Sequence, residues 1–236
     1  VANSFSGGTT VNGGILELNA GGGSGSLRGV LTVASGATVL SNAKDSWGYT
    51  SGTRVTIVTN SGSIIHTGSN NLTIWGVELN LLGGYIAATN TSGQLDFGAG
   101  TLVRSLASAS TSVIAGTQMN LRQTQTSIDV EDGASDIDLR ITAQIVQTGG
   151  NYGITKSGDG TLLLSNGNNN QAGDTTVTGG ILALGAGGQY GTLRNSRIIV
   201  TNGATLRWDV SDATGYGVTA DLYLSDSTLT KMAGSL

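Results

Sequence analysis

Residues 5–28 read FSGGTTVNGGILELNAGGGSGSLR, and residues 171–194 read QAGDTTVTGGILALGAGGQYGTLR. The two stretches start 166 residues apart and are identical at 15 of 24 positions without a gap. Long self-similarity of this kind is typical of repeat architectures, in which similar units stack along one axis. We therefore divide the chain into one long period, residues 5–170, and an incomplete second copy, residues 171–236.

The similarity continues beyond the opening stretch of each copy. VASGAT at residues 33–38 corresponds to VTNGAT at residues 200–205, and DSWGY at residues 45–49 corresponds to DATGY at residues 212–216. The match therefore covers a whole region rather than one shared motif. Because it starts and stops in mid-pattern, we expect an excerpt of a longer array.

Short runs of alternating apolar and polar residues fill each copy. Examples are ILEL at 15–18, RVTIV at 54–58, VELNL at 77–81 and IDLRI at 137–141. Alternation with a period of two predicts half-buried β-strands. Gly-Gly, Asn-Gly, Ser-Gly and Asp-Gly pairs lie between the runs, and such pairs favour tight turns because Gly and Asn tolerate positive φ.

The predicted fold class is all-β, a parallel β-helix (β-solenoid) that spans residues 1–236 as a single continuous segment. The 39 glycines serve its turns, and the absence of proline suits strands that need every backbone donor. At about 20–25 residues a coil, the chain makes about ten coils of about three short strands. Equivalent residues of the two copies should occupy equivalent core columns. The predicted core includes Leu16, Leu18, Val33 and Val39 in the first copy and Leu182, Leu184, Val200 and Leu206 in the second.

Composition excludes several functional classes. The chain has no cysteine and one histidine, so thiolate and multi-histidine metal sites are ruled out. A net charge of -4 gives no electrostatic reason to expect nucleic acid or an anionic membrane as a partner. No apolar run approaches the ~20 residues of a spanning helix, so we expect no membrane insertion by this segment.

One motif carries a family resemblance. GITKSGDGTLLLS at residues 153–165, an Asn/Gly spacer at 166–170, and GDTTVTGGILAL at 173–184 resemble the two halves of the passenger-associated transport repeat of bacterial autotransporters. The second half recurs at residues 7–18. The resemblance implies a secreted or surface-displayed right-handed β-solenoid on the outer membrane of a bacterium.

We therefore expect a non-enzymatic structural and adhesive rod segment of a large surface protein, of a kind that can form extracellular fibres. Its expected partners are neighbouring coils of the same long chain, a second copy stacked end to end, and a cell-surface or polysaccharide ligand. The alternative is a carbohydrate-processing β-helix enzyme or depolymerase. Acids on one face of adjacent coils near an aromatic residue would favour that alternative.

No residue is assigned a catalytic, cofactor-binding or metal-binding role. The one acidic cluster comprises Asp129, Glu131, Asp132, Asp136 and Asp138. Hard oxygen ligands suit calcium, but the cluster lacks both the EF-hand spacing and the nonapeptide of calcium β-rolls. We favour solvated carboxylates that flank a turn at Gly133, and leave a calcium site between Asp129 and Asp138 open.

Other candidate sites favour structural roles. Paired carboxylates for glycoside or polyuronate cleavage could come from Asp129, Asp136, Asp138, Asp209 and Asp212. Trp47, Trp75 and Trp208 lie far apart in the sequence, which argues against an enzyme cleft. His66 is expected at the surface, and the glycine-rich run at residues 20–26 is expected to be a flexible turn between coils rather than a phosphate-binding loop.

Overall fold

The computed structural model describes residues 4–50, 54–194, 196–217 and 220–232. These residues form 24 β-strands and no helix. Within these ranges no element is therefore a candidate membrane-spanning helix. The strands are numbered in chain order and form three sheets, in which every strand pair is parallel.

Two sheets of ten strands run along the whole molecule. The first contains, in spatial order, β1 (Thr9–Val11), β3 (Leu31–Val33), β5 (Arg54–Thr59), β8 (Val77–Leu82), β11 (Leu102–Ser105), β14 (Gln125–Val130), β17 (Gly153–Ser157), β19 (Thr175–Val177), β21 (Ile198–Val200) and β23 (Leu222–Leu224). The second contains β2 (Ile15–Leu18), β4 (Thr38–Ser41), β6 (Ser63–His66), β9 (Tyr85–Ala88), β12 (Ser112–Gly116), β15 (Leu139–Ile141), β18 (Thr161–Leu164), β20 (Ile181–Leu184), β22 (Thr205–Trp208) and β24 (Thr228–Lys231).

A third sheet is confined to the central coils. It consists of β7 (Asn71–Ile74), β10 (Gln94–Phe97), β13 (Gln118–Leu121) and β16 (Gln144–Gln147). In the coils that open each copy, this side of the molecule is formed by the glycine-rich segments at residues 19–28 and 185–194. Glycine weakens a strand because it has no side chain to pack, so these segments turn instead. Three strands in every coil were expected, and only the central coils have them.

The topology confirms the predicted parallel β-solenoid. Successive strands of each long sheet come from successive coils, and nine pairings join the ten strands, which gives about nine turns. The prediction that residues 1–236 form one segment without a separate domain stays a prediction.

The core is a narrow column of aliphatic side chains. On the third sheet Leu72, Leu95, Met119 and Ile145 pair in register from strand to strand, and all four are completely buried. Each such side chain contributes roughly 1.5–3 kcal/mol through its removal from water. Because inward residues alternate with outward ones, the apolar half of each strand faces the column.

The core prediction is confirmed for seven of its eight residues. The buried ones are Leu18, Val33, Val39, Leu182, Leu184, Val200 and Leu206. Leu16 is half-buried and packs against the core, because β2 has a paired neighbour on one side only. The prediction thus underestimated the effect of position along the stack.

The two copies are displaced by two residues along the strands, so the prediction of equivalent columns is wrong. Leu16 pairs with Val39, and the register followed from strand to strand through the second sheet leads to Leu184 rather than to Leu182. The displacement arises at two steps of the second sheet. β12 begins one residue before the residue that pairs with the start of β9, and β18 begins one residue before the residue that pairs with the start of β15. A shift of two residues keeps every side chain on its own face, so the core is preserved.

Candidate functional site

The acidic cluster is dispersed over several ion pairs and hydrogen bonds. The guanidinium of Arg104 lies 3.2 Å from the carboxylate of Asp129 and 3.7 Å from that of Glu131. Arg104 also lies 3.6 Å from the carboxylate of Glu78 on the neighbouring strand. The side chains of these four residues are partly exposed, so the network resembles a surface ion-pair ladder, in which each pair contributes little stability.

The remaining acids of the cluster do not converge on a cation site. Asp138 is buried, and its two carboxylate oxygens accept hydrogen bonds from the backbone N–H groups of Gly133 and Thr161 at 2.9 and 2.8 Å. Asp132 and Asp136 are exposed. Among the described residues, no group of three or more His, Cys, Asp or Glu side chains is placed to hold a metal ion.

The acids considered for glycoside cleavage are not brought together as a group. Asp209 forms a two-point ion pair with Arg207 at 2.6 and 3.0 Å, and Asp212 is an exposed turn residue with a φ of 51°. Both follow β22, whereas Asp129 and Asp138 belong to coils built from β14 and β15. Sequence proximity and acidity alone were therefore poor guides to a cleft.

His66 is completely buried, so its expected surface position is wrong. Its Nε2 donates to the carbonyl oxygen of Asn70 at 2.7 Å, which leaves Nδ1 to accept from the Ser41 hydroxyl at 2.9 Å. Ser41 in turn accepts from the Ser46 hydroxyl at 2.6 Å. His66 and Ser41 both face the buried interior, and the partner of the His66 Nε2 is the Asn70 carbonyl oxygen rather than a carboxylate. The arrangement therefore stabilises the core and offers no access to a substrate.

The glycine-rich run at residues 20–26 forms a turn, as predicted, and it is packed against the next coil. A Cβ added at Gly25 would lie 2.3 Å from the backbone carbon of Trp47, and one at Gly21 would lie 1.8 Å from the carbonyl oxygen of Lys44. The glycines therefore allow two coils to approach each other closely at this turn.

A pocket on the outer face of the third sheet brings together residues that sequence reasoning left apart. We call it the third-sheet pocket. It has a volume of about 320 Å³ and is lined by Lys44, Asp45, Tyr49, Asn71, Thr73, Trp75, Asp96 and Arg122. These residues come from the turn after β4, from β7 and its C-terminal end, from β10, and from the end of β13.

Asp96 forms the floor of the third-sheet pocket and is buried with only 2% of its surface exposed. One carboxylate oxygen accepts from the side-chain amides of Gln94 and Asn120 at 2.8 and 2.9 Å. The other accepts from the Asn71 amide at 3.1 Å and from the Arg122 guanidinium at 3.3 Å. Burial raises the pKa of Asp96 above its usual range, and nearby Asp45 adds to this, whereas the hydrogen bonds from Asn120 and Gln94 and the charge of Arg122 oppose it.

Asn71 connects the two carboxylates of the third-sheet pocket. Its amide nitrogen lies 3.4 Å from Asp45 and 3.1 Å from Asp96, and 3.0 Å from the Thr73 hydroxyl. Thr73 donates to Asp45 at 2.5 Å. The polar groups are thus held in place by hydrogen bonds between neighbouring coils, which is a preorganised arrangement.

Two aromatic rings form one side of the pocket. Tyr49 and Trp75 meet edge to face, with their ring centres 6.5 Å apart and an interplanar angle of 65°. Trp75 rests on the backbone of Gly98, where an added Cβ would lie 1.9 Å from the indole nitrogen. The absence of a side chain at position 98 therefore sets where the indole lies.

A signal for this site is present in the sequence. NLTI at β7, QLDF at β10 and QMNL at β13 all alternate polar and apolar residues, and their starting positions are 23 and 24 residues apart. That spacing equals one coil, so the polar positions of the three strands fall side by side on one outer face. Sequence reasoning missed the site because it searched for acids that are close in sequence rather than one coil apart.

Lys156, in the family-like motif, is completely buried within the first sheet. Its ammonium donates to three carbonyl oxygens, those of Ser157 at 3.0 Å, Gly158 at 2.6 Å and Gly179 at 2.9 Å. Burial lowers the pKa of Lys156 to about 8, although the charges of Asp129, Asp159 and Asp138 act in the opposite direction. Because Gly179 belongs to the next coil, the lysine links the first half of the motif, residues 153–165, to the second half, residues 173–184, by a hydrogen bond.

The comparisons with known proteins agree with this motif. The family model of the passenger-associated transport repeat matches residues 2–18 and 154–184. The resemblance predicted from the sequence is thus confirmed, with one match at the start of the first copy and one that spans the boundary between the two copies. Neither a curated protein nor a solved structure matches the chain.

Proposed function

We propose that the chain is a structural and adhesive rod segment of a large bacterial protein of the autotransporter-passenger type, secreted or displayed at the outer membrane. The observation that carries the proposal is the unbroken parallel pairing of both long sheets through nine coil-to-coil steps, together with two matches to the passenger-associated transport repeat. A stack of this kind extends a protein in one direction, since neighbouring strands add about 4.8 Å each, or about 43 Å in all.

The rod draws its stiffness from contacts between neighbouring coils. Backbone hydrogen bonds of both sheets run along the axis, and the aliphatic column beneath them is continuous. Because each coil contacts mainly its neighbours, such a chain can fold coil by coil after passage through a pore. A chain with no cysteine needs no oxidising step for this.

The two end faces of the described stack are suited to further coils. Phe5 and Ile15 are exposed at one end, and Tyr223, Leu224 and Met232 are exposed at the other. At both ends the outermost strands have a paired neighbour on one side only. Unpaired strand edges with apolar side chains recruit other strands. We propose that these faces stack on coils of the same long chain or, in a fibre, on a second copy.

The test of the rod is made in solution and on cells. Sedimentation of the 236-residue chain should show concentration-dependent association, and Leu229→Lys at the β24 end should reduce it. On intact bacteria that produce the parent protein, an antibody against this segment should label the outside. A monomer at high concentration would contradict the fibre role, and labelling only after cell lysis would contradict surface display.

A carbohydrate-processing enzyme remains a second candidate because of one specific observation. Two buried carboxylates, Asp45 and Asp96, lie beside Trp75, on the coils that flank the coil of Trp75 on either side. However, both oxygens of Asp96 already accept two hydrogen bonds each. A carboxylate held in this way suits positioning of its neighbours better than proton transfer. Release of reducing sugar from a polysaccharide by the wild-type chain, and its loss in Asp96→Asn, would favour the enzyme.

A further inference from the structure

The third-sheet pocket differs in position from two other concavities of the described residues. The cavity of about 460 Å³ lined by Phe5, Leu16 and Leu27 lies at the open end face, and the cavity of about 150 Å³ beside Trp208 and Lys231 lies at the other end. Both are therefore explained by the end coils. The third-sheet pocket lies on the side of the rod, where the stacking of coils does not cover it, and its volume of about 320 Å³ is at the lower end of small-molecule sites.

The charges of the third-sheet pocket cancel within it. The ammonium of Lys44 lies 4.0 Å from Asp45, and the guanidinium of Arg122 lies 3.3 Å from Asp96. Two cations and two carboxylates leave no net charge to attract a phosphate, a polyuronate or a polyamine. The pocket is therefore suited to an uncharged ligand that is rich in hydrogen-bonding groups.

The aromatic side of the pocket narrows the ligand class further. Tyr49 is 47% exposed and Trp75 is partly exposed, so both rings can contact a ligand. Aromatic rings that stand at an angle to each other offer an apolar face beside a polar edge. A sugar ring has the matching character, with C–H groups on its faces and hydroxyls around its rim.

The polar side supplies both donors and acceptors. A guanidinium has five N–H donors and an ammonium has three, and a carboxylate accepts several hydrogen bonds. The side chains of Lys44 and Arg122 are 57% and 33% exposed, so part of this capacity faces the solvent. Vicinal hydroxyls of a sugar need adjacent donors and acceptors of this kind.

We infer that the third-sheet pocket binds an uncharged hexose unit of a polysaccharide, with Tyr49 and Trp75 against the sugar ring and with Lys44, Asp45 and Arg122 bonded to its hydroxyls. The inference deepens the adhesive role proposed above and rests on it for its biological meaning. The binding itself depends only on the geometry of the pocket.

The experiment is isothermal titration calorimetry of the 236-residue chain with maltohexaose, cellohexaose and mannohexaose, and with oligogalacturonate as an acidic comparator. At least one neutral oligosaccharide should bind at millimolar concentration or below, and more tightly than oligogalacturonate. Tyr49→Ala should weaken the affinity roughly tenfold, the loss expected for an aromatic anchor of a binding site. Tyr216→Ala, the repeat-equivalent tyrosine outside the pocket, should leave the affinity unchanged.

A second variant tests the pocket without removal of any lining side chain. Gly98→Ala should displace the Trp75 indole and weaken binding by a similar factor, with circular dichroism to confirm the fold. The inference is overturned if no neutral oligosaccharide binds, if oligogalacturonate binds more tightly, or if Tyr49→Ala and Gly98→Ala both retain full affinity in folded protein. Sugar binding by a chain that neither associates end to end nor labels at the cell surface would contradict the proposed rod while it supports the pocket.

Discussion

The opening regions of the two copies, residues 5–50 and 171–216, share one backbone turn in different surroundings. Asp45 and Asp212, which begin this turn, both have a φ of 51°, whereas the turn before it differs, because Asn202 has a φ of 57° and the equivalent Ser35 has no positive φ. The turn hydrogen bond from Gly48 N to Asp45 O has the same length, 2.8 Å, as the bond from Gly215 N to Asp212 O. The shared turn forms in both copies although the neighbouring coils differ, so local sequence is sufficient for it.

Burial does not follow the sequence in the same way. Leu182 is completely buried between β18 and β22, whereas its equivalent Leu16 is half-buried because β2 pairs on one side only. Asp45 is covered by the coil that carries Asn71 and Thr73, whereas Asp212 is exposed. A coil therefore encodes part of its own shape, while its neighbours determine what that shape buries and which site it can form.

The largest expected effect comes from a charge placed in the core. Leu182→Asp should lower the free energy of unfolding by about 3–5 kcal/mol, because an unpaired carboxylate would enter the dry column. Leu16→Asp should cost less than half of that, since water can reach its side chain. Urea denaturation of both variants gives the two values. Equal losses would show that the copies do not differ in burial.

The next effect concerns Lys156, which lies in the first copy but outside the opening region at residues 5–50. Its pKa of about 8 in the folded chain lies below the ~10.4 of an unfolded lysine, so the unfolded chain binds more protons between these values. The lysine therefore destabilises the fold below about pH 8, and this penalty, at most about 3 kcal/mol, is relieved as the pH rises towards 10.

Urea midpoints at pH 7 and pH 10 for the wild type and for Lys156→Met test the pH dependence of this destabilisation. The stability of the wild type relative to Lys156→Met should rise between the two pH values, because methionine does not titrate. Lys44→Met, at an exposed lysine, serves as the matched control and should show no such rise. A constant difference for Lys156→Met would contradict the lowered pKa.

A smaller effect tests whether the turns of the two copies are equivalent. Gly25→Ala and Gly191→Ala should each destabilise the fold by about 2–3 kcal/mol, because each new Cβ would lie 2.3 Å from backbone atoms of the next coil at a positive φ. Gly36→Ala and Gly203→Ala have open space and should cost about 1–2 kcal/mol, for the left-handed backbone alone. Thermal unfolding gives the loss of stability for each variant. Unequal losses for Gly25→Ala and Gly191→Ala would contradict the equivalence of the two turns.

The smallest effect separates the two aspartates that share one turn conformation. Asp45→Asn should cost about 1 kcal/mol, because Asp45 accepts a hydrogen bond from Thr73 and an amide replaces half of its acceptor capacity. Asp212→Asn, at an exposed position, should stay within about 0.5 kcal/mol of the wild type. Asparagine tolerates the left-handed backbone as aspartate does, so the turn itself is not tested. Chemical denaturation of both variants supplies the two free energies of unfolding. A larger loss of stability for Asp212→Asn than for Asp45→Asn would contradict the structural role given to the Asp45 hydrogen bond.

The repeat, the strand texture and the inward residues were predictable because they depend on local patterns. The period-two alternation places Leu182 and Val200 in the core whatever the register of the coils. The displacement of two residues was not predictable, since it results from small offsets at β12 and β18 that leave the alternation unchanged. The burial of His66 was missed because its Ser41 partner lies one coil away, and the third-sheet pocket was missed for the same reason.

The most direct test of the account is a disulfide map of the first sheet, which the absence of native cysteine makes unambiguous. Three pairs of outward-facing residues are opposite each other on neighbouring strands: Thr10 with Thr32, Ser127 with Thr155, and Ile199 with Tyr223. Double cysteine variants at each pair should oxidise readily, because parallel neighbours lie within the Cα separation that a disulfide requires. Cross-links should form at all three pairs, and none should form between Asp129→Cys and Thr155→Cys. A cross-link at that offset pair, with none between Ser127→Cys and Thr155→Cys, would contradict the continuous in-register stack.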